Sequence, residues 1–166
     1  MLPDEPWLRK SPAEGVLFWT DECKEIGRFG PWAGEAERED WKRLEFAVEP
    51  SEKDYFSALA GGVARTADRV LYLRQRLWWA GNDPIRREGT GAPSQWHVDN
   101  LIEFAALLSV EDEQQRLMKA EGLRELGRFG EAIDLLSDRY SCDLTSAVAR
   151  IRTLCHERST QVARLN

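Results

Sequence analysis

Beyond residue 50 the apolar positions of this chain recur at three- and four-residue intervals, the period of one helix face. Ser51 with Asp54 has capping-box spacing, with Asp in the third position. It opens a helix expected to run to about Leu59 and to stop at Gly61-Gly62. A second helix is expected over roughly 63–80, ending at Gly81-Asn82-Asp83-Pro84. Residues 81–95 then read as a loop, with Pro84, Gly89, Gly91 and Pro93 as turn formers. The next helix spans about 95–108, with Val98, Leu101, Ile102, Ala105 and Leu108 as its core face. From about Glu111 to Leu126 the pattern is apolar on two sides, Met118 and Leu126 against Leu117, Ala120 and Leu123. That suits a helix sandwiched between neighbours. Gly127-Arg128-Phe129-Gly130 turns the chain into a helix from Glu131 to about Ser137. The last helix is expected from about Asp143 to Leu165, carrying Leu144, Val148, Ile151 and Cys155.

Before residue 50 the pattern is different. Residues 1–33 read as irregular, with one short strand at Val16-Leu17-Phe18-Trp19, which is apolar, β-prone and follows Gly15. Pro31 and Gly34 close this region, and 35–43 is an acidic, mixed stretch with room for a short helix. Glu49-Pro50 is a break, because a residue before proline avoids the helical region. No strand pattern follows residue 20. The predicted fold class is therefore all-α: a compact multi-helix domain over 51–166, with a small irregular/β N-terminal cap over 1–50 that is not an independent domain.

Composition narrows the function classes. A chain of 166 residues suits one domain with its own core. A charged fraction of 31% and the lack of a long apolar run exclude a spanning helix. The opening Met1-Leu2-Pro3-Asp4-Glu5-Pro6 is acidic and proline-broken, unlike a signal peptide, so the expected location is cytoplasmic. Cys23, Cys142 and Cys155 are accordingly expected as reduced thiols. The net charge of −6 argues against nucleic acid as the main partner. That charge is uneven: residues 1–60 carry −6, residues 61–94 carry +3 with arginine as every base, and residues 95–166 carry −3.

The basic segment is also aromatic. Ala67, Val70, Leu71, Leu73, Leu77 and Trp78 form one apolar arc of its helix. Arg74 falls inside that arc, where a charge must be paired or reach a cleft. Tyr72, Arg76 and Trp79 make an aromatic–arginine–aromatic stripe on the expected wet side, a composition enriched in binding hot spots. The plainer reading, which is preferred, packs Tyr72 and Trp79 under the loop or against the N-terminal region and ties Arg74 to a structural Glu. Asn82 and Asp83 can cap the following turn, and Arg86 and Arg87 can hold a carboxylate or phosphate bidentately. Pairing of those two arginines with the acidic N-terminal third is preferred. Trp96 lies off the apolar face of its helix.

Catalytic and metal chemistry find little material. No Cys-x-x-Cys exists, and Cys155 and His156 point to different helix faces. There is no Gly-x-Ser-x-Gly, and no phosphate loop. His97 and Asp99 diverge on one helix, and His97, near the edge of an apolar face, reads as structural. The run Glu111-Asp112-Glu113 sits at a helix start, where the dipole favours acids. No catalytic residue, cofactor or metal ligand is assigned.

The stretch Ala120 to Ile133 resembles a tetratricopeptide repeat, a helical hairpin with a small residue mid-helix, Gly and an aromatic at the turn, and Ala in the second helix. Those roles fall to Ala120, Gly127, Phe129 and Ala132, over about one repeat. Gly-Arg-Phe-Gly recurs at 27–30 in different surroundings and is read as coincidence. The whole chain resembles a group of small bacterial proteins of uncharacterised function. They combine an N-terminal Cys-Pro-x-Cys-Gly knuckle, an aromatic strand, an Asn-Asp-bearing middle and this hairpin. The corresponding stretch here is Ser11-Pro12-Ala13-Glu14-Gly15, which keeps Pro12 and Gly15 and lacks both Cys. The resemblance implies the fold, without the thiolate pair that zinc would need.

The expected function is non-catalytic binding of another protein, as an immunity- or antitoxin-type inhibitor of a toxin or effector, or as an adaptor. Its acidic outer surface would meet a basic site, with electrostatics speeding association. The expected contact residues are Tyr72, Arg74, Arg76, Trp79, Asn82, Asp83, Arg86, Arg87 and Trp96. The alternative is a small-ligand binder or enzyme with an arginine-lined anion site around residues 74–87. A deep pocket beside a perturbed carboxylate or His97 would favour it.

Overall fold

A short hairpin comes first among the described residues. In the computed structural model, which describes residues 7–26, 42, 44–88 and 93–163, strand β1 (Leu8–Lys10) pairs antiparallel with β2 (Leu17–Trp19). The β1 strand was not expected from the sequence. Three residues are too short to show alternation, yet Leu8 is fully buried while Arg9 reaches Glu49 and Lys10 reaches Asp54. The loop between the strands is Ser11 to Val16. It closes through a Ser11 N–H to Val16 carbonyl bond of 2.9 Å and a Gly15 N–H to Ser11 carbonyl bond of 2.8 Å. Gly15 takes φ +70°, which favours glycine. A bridge between Lys10 and Val48 adds a third line of backbone to the hairpin.

Among the described residues, six α-helices follow from residue 52: α1 (Glu52–Ala60), α2 (Ala67–Glu88), α3 (Gln95–Leu107), α4 (Glu113–Glu125), α5 (Phe129–Leu136) and α6 (Thr145–His156). The body is thus helical, as expected, with a small N-terminal sheet. No helix among the described residues is long and apolar enough to cross a membrane. Each helix packs on the next, and α4 also touches α6. The stretch predicted as a short helix at 35–43 lies almost wholly outside the described residues, as do Pro31, Gly34, Gly89, Gly91 and the repeat at 27–30.

The capping box at α1 forms as the spacing predicts: Ser51 accepts from Asp54 N–H, and the Asp54 carboxylate accepts from Ser51 N–H at 2.9 Å. Helix α4 is sandwiched as its two apolar sides require. Met118 and Leu126 meet α2 and α3, while Leu117, Ala120 and Leu123 meet α5 and α6. Gly127 ends α4 at φ +75°, with Arg128 N–H on the Leu123 carbonyl and Gly127 N–H on the Arg124 carbonyl, a Schellman closure.

One boundary, on α6, and one face, on α3, depart from expectation here. Helix α6 stops at His156, not Leu165. Arg158 turns the chain at φ 53°, and the Ser159 carbonyl then receives the buried Arg124 guanidinium at 2.6 Å. On α3, Ile102 is 47% exposed and Phe104 is buried in its place. The inward face there is His97, Asn100, Leu101, Phe104, Ala105 and Leu108. Two of its members are polar, unlike the all-apolar assignment, and Asn100 is held there by donating to the Arg74 carbonyl at 2.9 Å. All three cysteines are free, and only Cys155 is buried.

Candidate functional site

Helix α2 does not break at Gly81-Asn82-Asp83-Pro84. It continues for another turn past Pro84 to Glu88. Proline removes one helical donor and crowds the preceding turn, a cost of about 3 kcal/mol in a helix interior. Side-chain contacts support the extension. Asn82 is anchored by Glu125 on α4. Arg86 pairs with Asp83 at 3.1 Å, and Arg87 donates to the Asp83 carbonyl at 3.3 Å. The consequence is one continuous face bearing Arg76, Trp79, Asp83, Arg86 and Arg87, close to three- and four-residue spacing.

That face forms one wall of an open groove of roughly 550 Å³. The start of α1 forms the other wall, with Glu49, Pro50, Ser51, Glu52 and Tyr55. Arg76 is tied in place: its guanidinium meets Glu49 and donates to the Tyr55 hydroxyl at 3.3 Å, 5.7 Å from the Trp79 ring. Tyr55 in turn donates to Glu49 at 2.5 Å. Burial and the neighbouring Glu49 push the Tyr55 phenol far up. Desolvation also raises the Glu52 carboxyl. At 4.0 Å from it lies Nδ1 of His97, whose own affinity for a proton is lowered by burial. A neutral imidazole makes this contact polar rather than ionic. Gly81 allows it, because a Cβ there would fall 2.1 Å from His97 Nδ1.

The expected contact residues are divided by the fold. Arg76, Trp79, Asp83, Arg86 and Arg87 share the groove. Tyr72, expected on the wet side, is buried at 3% exposure. The cap covers it: Trp7 stacks on its ring at 5.5 Å, Trp19 lies at 5.8 Å, and its hydroxyl accepts the Leu8 N–H. Asn82, expected at a surface turn, is fully buried inside the continuing helix. Arg74 and Trp96 lie in a separate hollow between α1, α2 and α3. There Arg74 meets Asn100 at 3.4 Å and Glu103 at 3.8 Å, and Trp96 meets Phe56 edge-on. The predicted arc on α2 also splits. Leu73 and Leu77 face the cap and α1, Trp78 faces α3, and Ala67 is exposed.

The pairing expected between Arg86, Arg87 and the acidic N-terminal third is not made among the described residues. Arg69 and Arg76 make it instead, on Asp21 and Glu22 and on Glu49. Sequence reasoning missed Glu49, Glu52 and Tyr55 as groove residues. The capping box gave the only local sign, since it places Glu52 and Tyr55 in the first turn of α1. It also missed Glu125, a buried carboxylate raised by desolvation, which accepts from Trp78 Nε1 at 2.7 Å. Among the described residues no three His, Cys, Asp or Glu side chains gather to hold a metal.

Compared with protein-family models, curated proteins and solved structures, the chain matches none.

Proposed function

We propose that this protein is a non-catalytic binding module of the immunity-protein or adaptor type, and that a segment of another protein docks in the α1–α2 groove. The observation that supports this reading is the unbroken α2 face, which sets Trp79 between charged groups on a solvent-open wall. Two of the groove's ion pairs are already internal, Arg76 with Glu49 and Arg86 with Asp83. Arg87 and Glu52 are left at opposite walls without an ionic partner among the described residues. A polypeptide supplies both complements, a carboxylate for Arg87 and a donor for Glu52, around an apolar side chain on Trp79. A small free anion meets three carboxylates in the same groove and fits it less well. The α4–α5 hairpin, tetratricopeptide-like in its Ala120, Gly127, Phe129 and Ala132, serves as the rigid back of the module.

The test is affinity capture from cells that make the protein, followed by reconstitution with the captured partner. Trp79→Ala and Arg87→Glu are each expected to weaken that complex by about tenfold or more. Undiminished binding by both variants, with folding verified by circular dichroism, refutes the groove as the interface.

A further inference from the structure

A second cavity, of roughly 290 Å³, lies on the other side of α2, between α2, α3, the end of α4 and the chain at 160–162. Its walls are apolar at Ile85, Val98 and Leu101, and polar at Asn82, His97 and Glu125. Asn82 is fully buried. Its Nδ2 donates to both Glu125 oxygens at 3.2 Å, and its Oδ1 has no hydrogen-bond partner in the protein. Turning the amide over would not help, since it would set Oδ1 against the carboxylate. A buried acceptor left without a partner is destabilising.

The charges next to the cavity are also unequal. Glu121, Arg124 and Glu125 are two carboxylates and one guanidinium. Arg124 is spent on Glu121, with contacts of 2.8 and 2.7 Å, and stands 3.7 Å from Glu125. Glu125 is otherwise held by two neutral donors, Trp78 and Asn82. Burial keeps His97 neutral, so it brings no positive charge to the cavity.

We infer that this cavity binds a small primary amine with an apolar body, its ammonium between Asn82 Oδ1 and the Glu125 carboxylate. An ammonium offers three donors and the missing positive charge. The aliphatic wall at Ile85, Val98 and Leu101 takes the hydrocarbon part. An anion is excluded by the same two acceptors. This inference stands apart from the groove, which lies across α2 and uses neither Asn82 nor Glu125.

The experiment titrates the full chain with isoamylamine, isoamyl alcohol and isovalerate while following the Trp78 indole N–H, assigned by its loss in Trp78→Phe. Isoamylamine is expected to give a saturable shift in the millimolar range, consistent with about six heavy atoms. It should bind about tenfold more tightly than the alcohol, with no saturation by isovalerate. Glu125→Gln should remove that preference. Ile85→Trp, which fills the cavity without touching the carboxylate, should abolish binding even if Glu125→Gln does not fold. Arg69→Ala, at the rim beside the cap and away from the cavity, should leave amine binding intact. Equal binding of amine and alcohol, preference for isovalerate, no saturation by the amine, or full amine binding by Ile85→Trp overturns the inference.

Discussion

The two ends of this molecule use charge and side-chain volume in opposite ways. The cap, α1 and α2 share a core rich in aromatic rings, Trp19, Tyr55 and Tyr72 around Leu8, Leu73 and Leu77. Their charges meet at the rim, where Arg9, Lys10, Arg69 and Arg76 face acids that are partly or largely exposed. The α4–α6 end has an aliphatic core of Leu117, Ala120, Leu123, Leu136, Val148 and Ile151. Its main ion pair, Arg124 with Glu121, is buried. Large rings cover area quickly and tolerate a short, irregular cap. Small side chains allow close helix approach, and a buried guanidinium then demands particular carbonyls and carboxylates around it. The rim pairs hold an acidic cap to a basic helix at little cost in water. The interior pair selects one arrangement, and losing one of its members is expensive.

The sharpest way to break this comparison is to remove Arg124. Arg124→Leu strands Glu121 without its counter-charge and frees the Ser159 carbonyl, and should cost about 3–5 kcal/mol by urea denaturation. A loss below 1 kcal/mol, on the scale of a surface pair, would show that the interior pair is not special. Next comes the seam between the two ends. Gly81→Ala sets a methyl against the buried His97 and should cost about 1–3 kcal/mol in the same assay. Gly127→Ala leaves its surroundings uncrowded but strains φ +75°, and should cost about 1 kcal/mol.

Acid should act on the seam as well. Burial lowers the His97 pKa below its ordinary 6.5, so between these values the unfolded chain binds more protons than the folded one. Stability should therefore fall as the pH drops below about 6.5, and His97→Gln should lack that loss. Glu52 and Glu125, both raised by burial, act in the opposite sense, so the difference between wild type and His97→Gln isolates the imidazole. The smallest effect belongs to the rim. Arg69→Ala removes contacts with Asp21, Glu22 and the Trp19 ring, and its effect on thermal unfolding should shrink in high salt. The Arg124→Leu deficit should persist there.

The local signals along the chain were enough for the helices that start and stop on their own chemistry. The capping box at Ser51, the glycine stops at Gly62 and Gly127, and the two-sided pattern of α4 all act within a few residues. They are legible because backbone donors and acceptors near helix ends are satisfied locally. The groove was legible in part. Its arginines and Trp79 stood out by composition, but a break at Pro84 split them from one another. Asn82 on Glu125 and Asp83 under Arg86 and Arg87 are what carry the helix through.

Periodicity and capping therefore determine that this is a helical chain with a short β-prone start, because they rest on interactions within a few residues. Which α2 residues are wet, where α6 ends and which carboxylate is buried depend on neighbours far along the chain. Leu8 lies 64 residues from the Tyr72 hydroxyl that accepts its N–H, and Ser159 lies 35 from Arg124. The tertiary fold decides these points, since burial and polar satisfaction are properties of the packed whole.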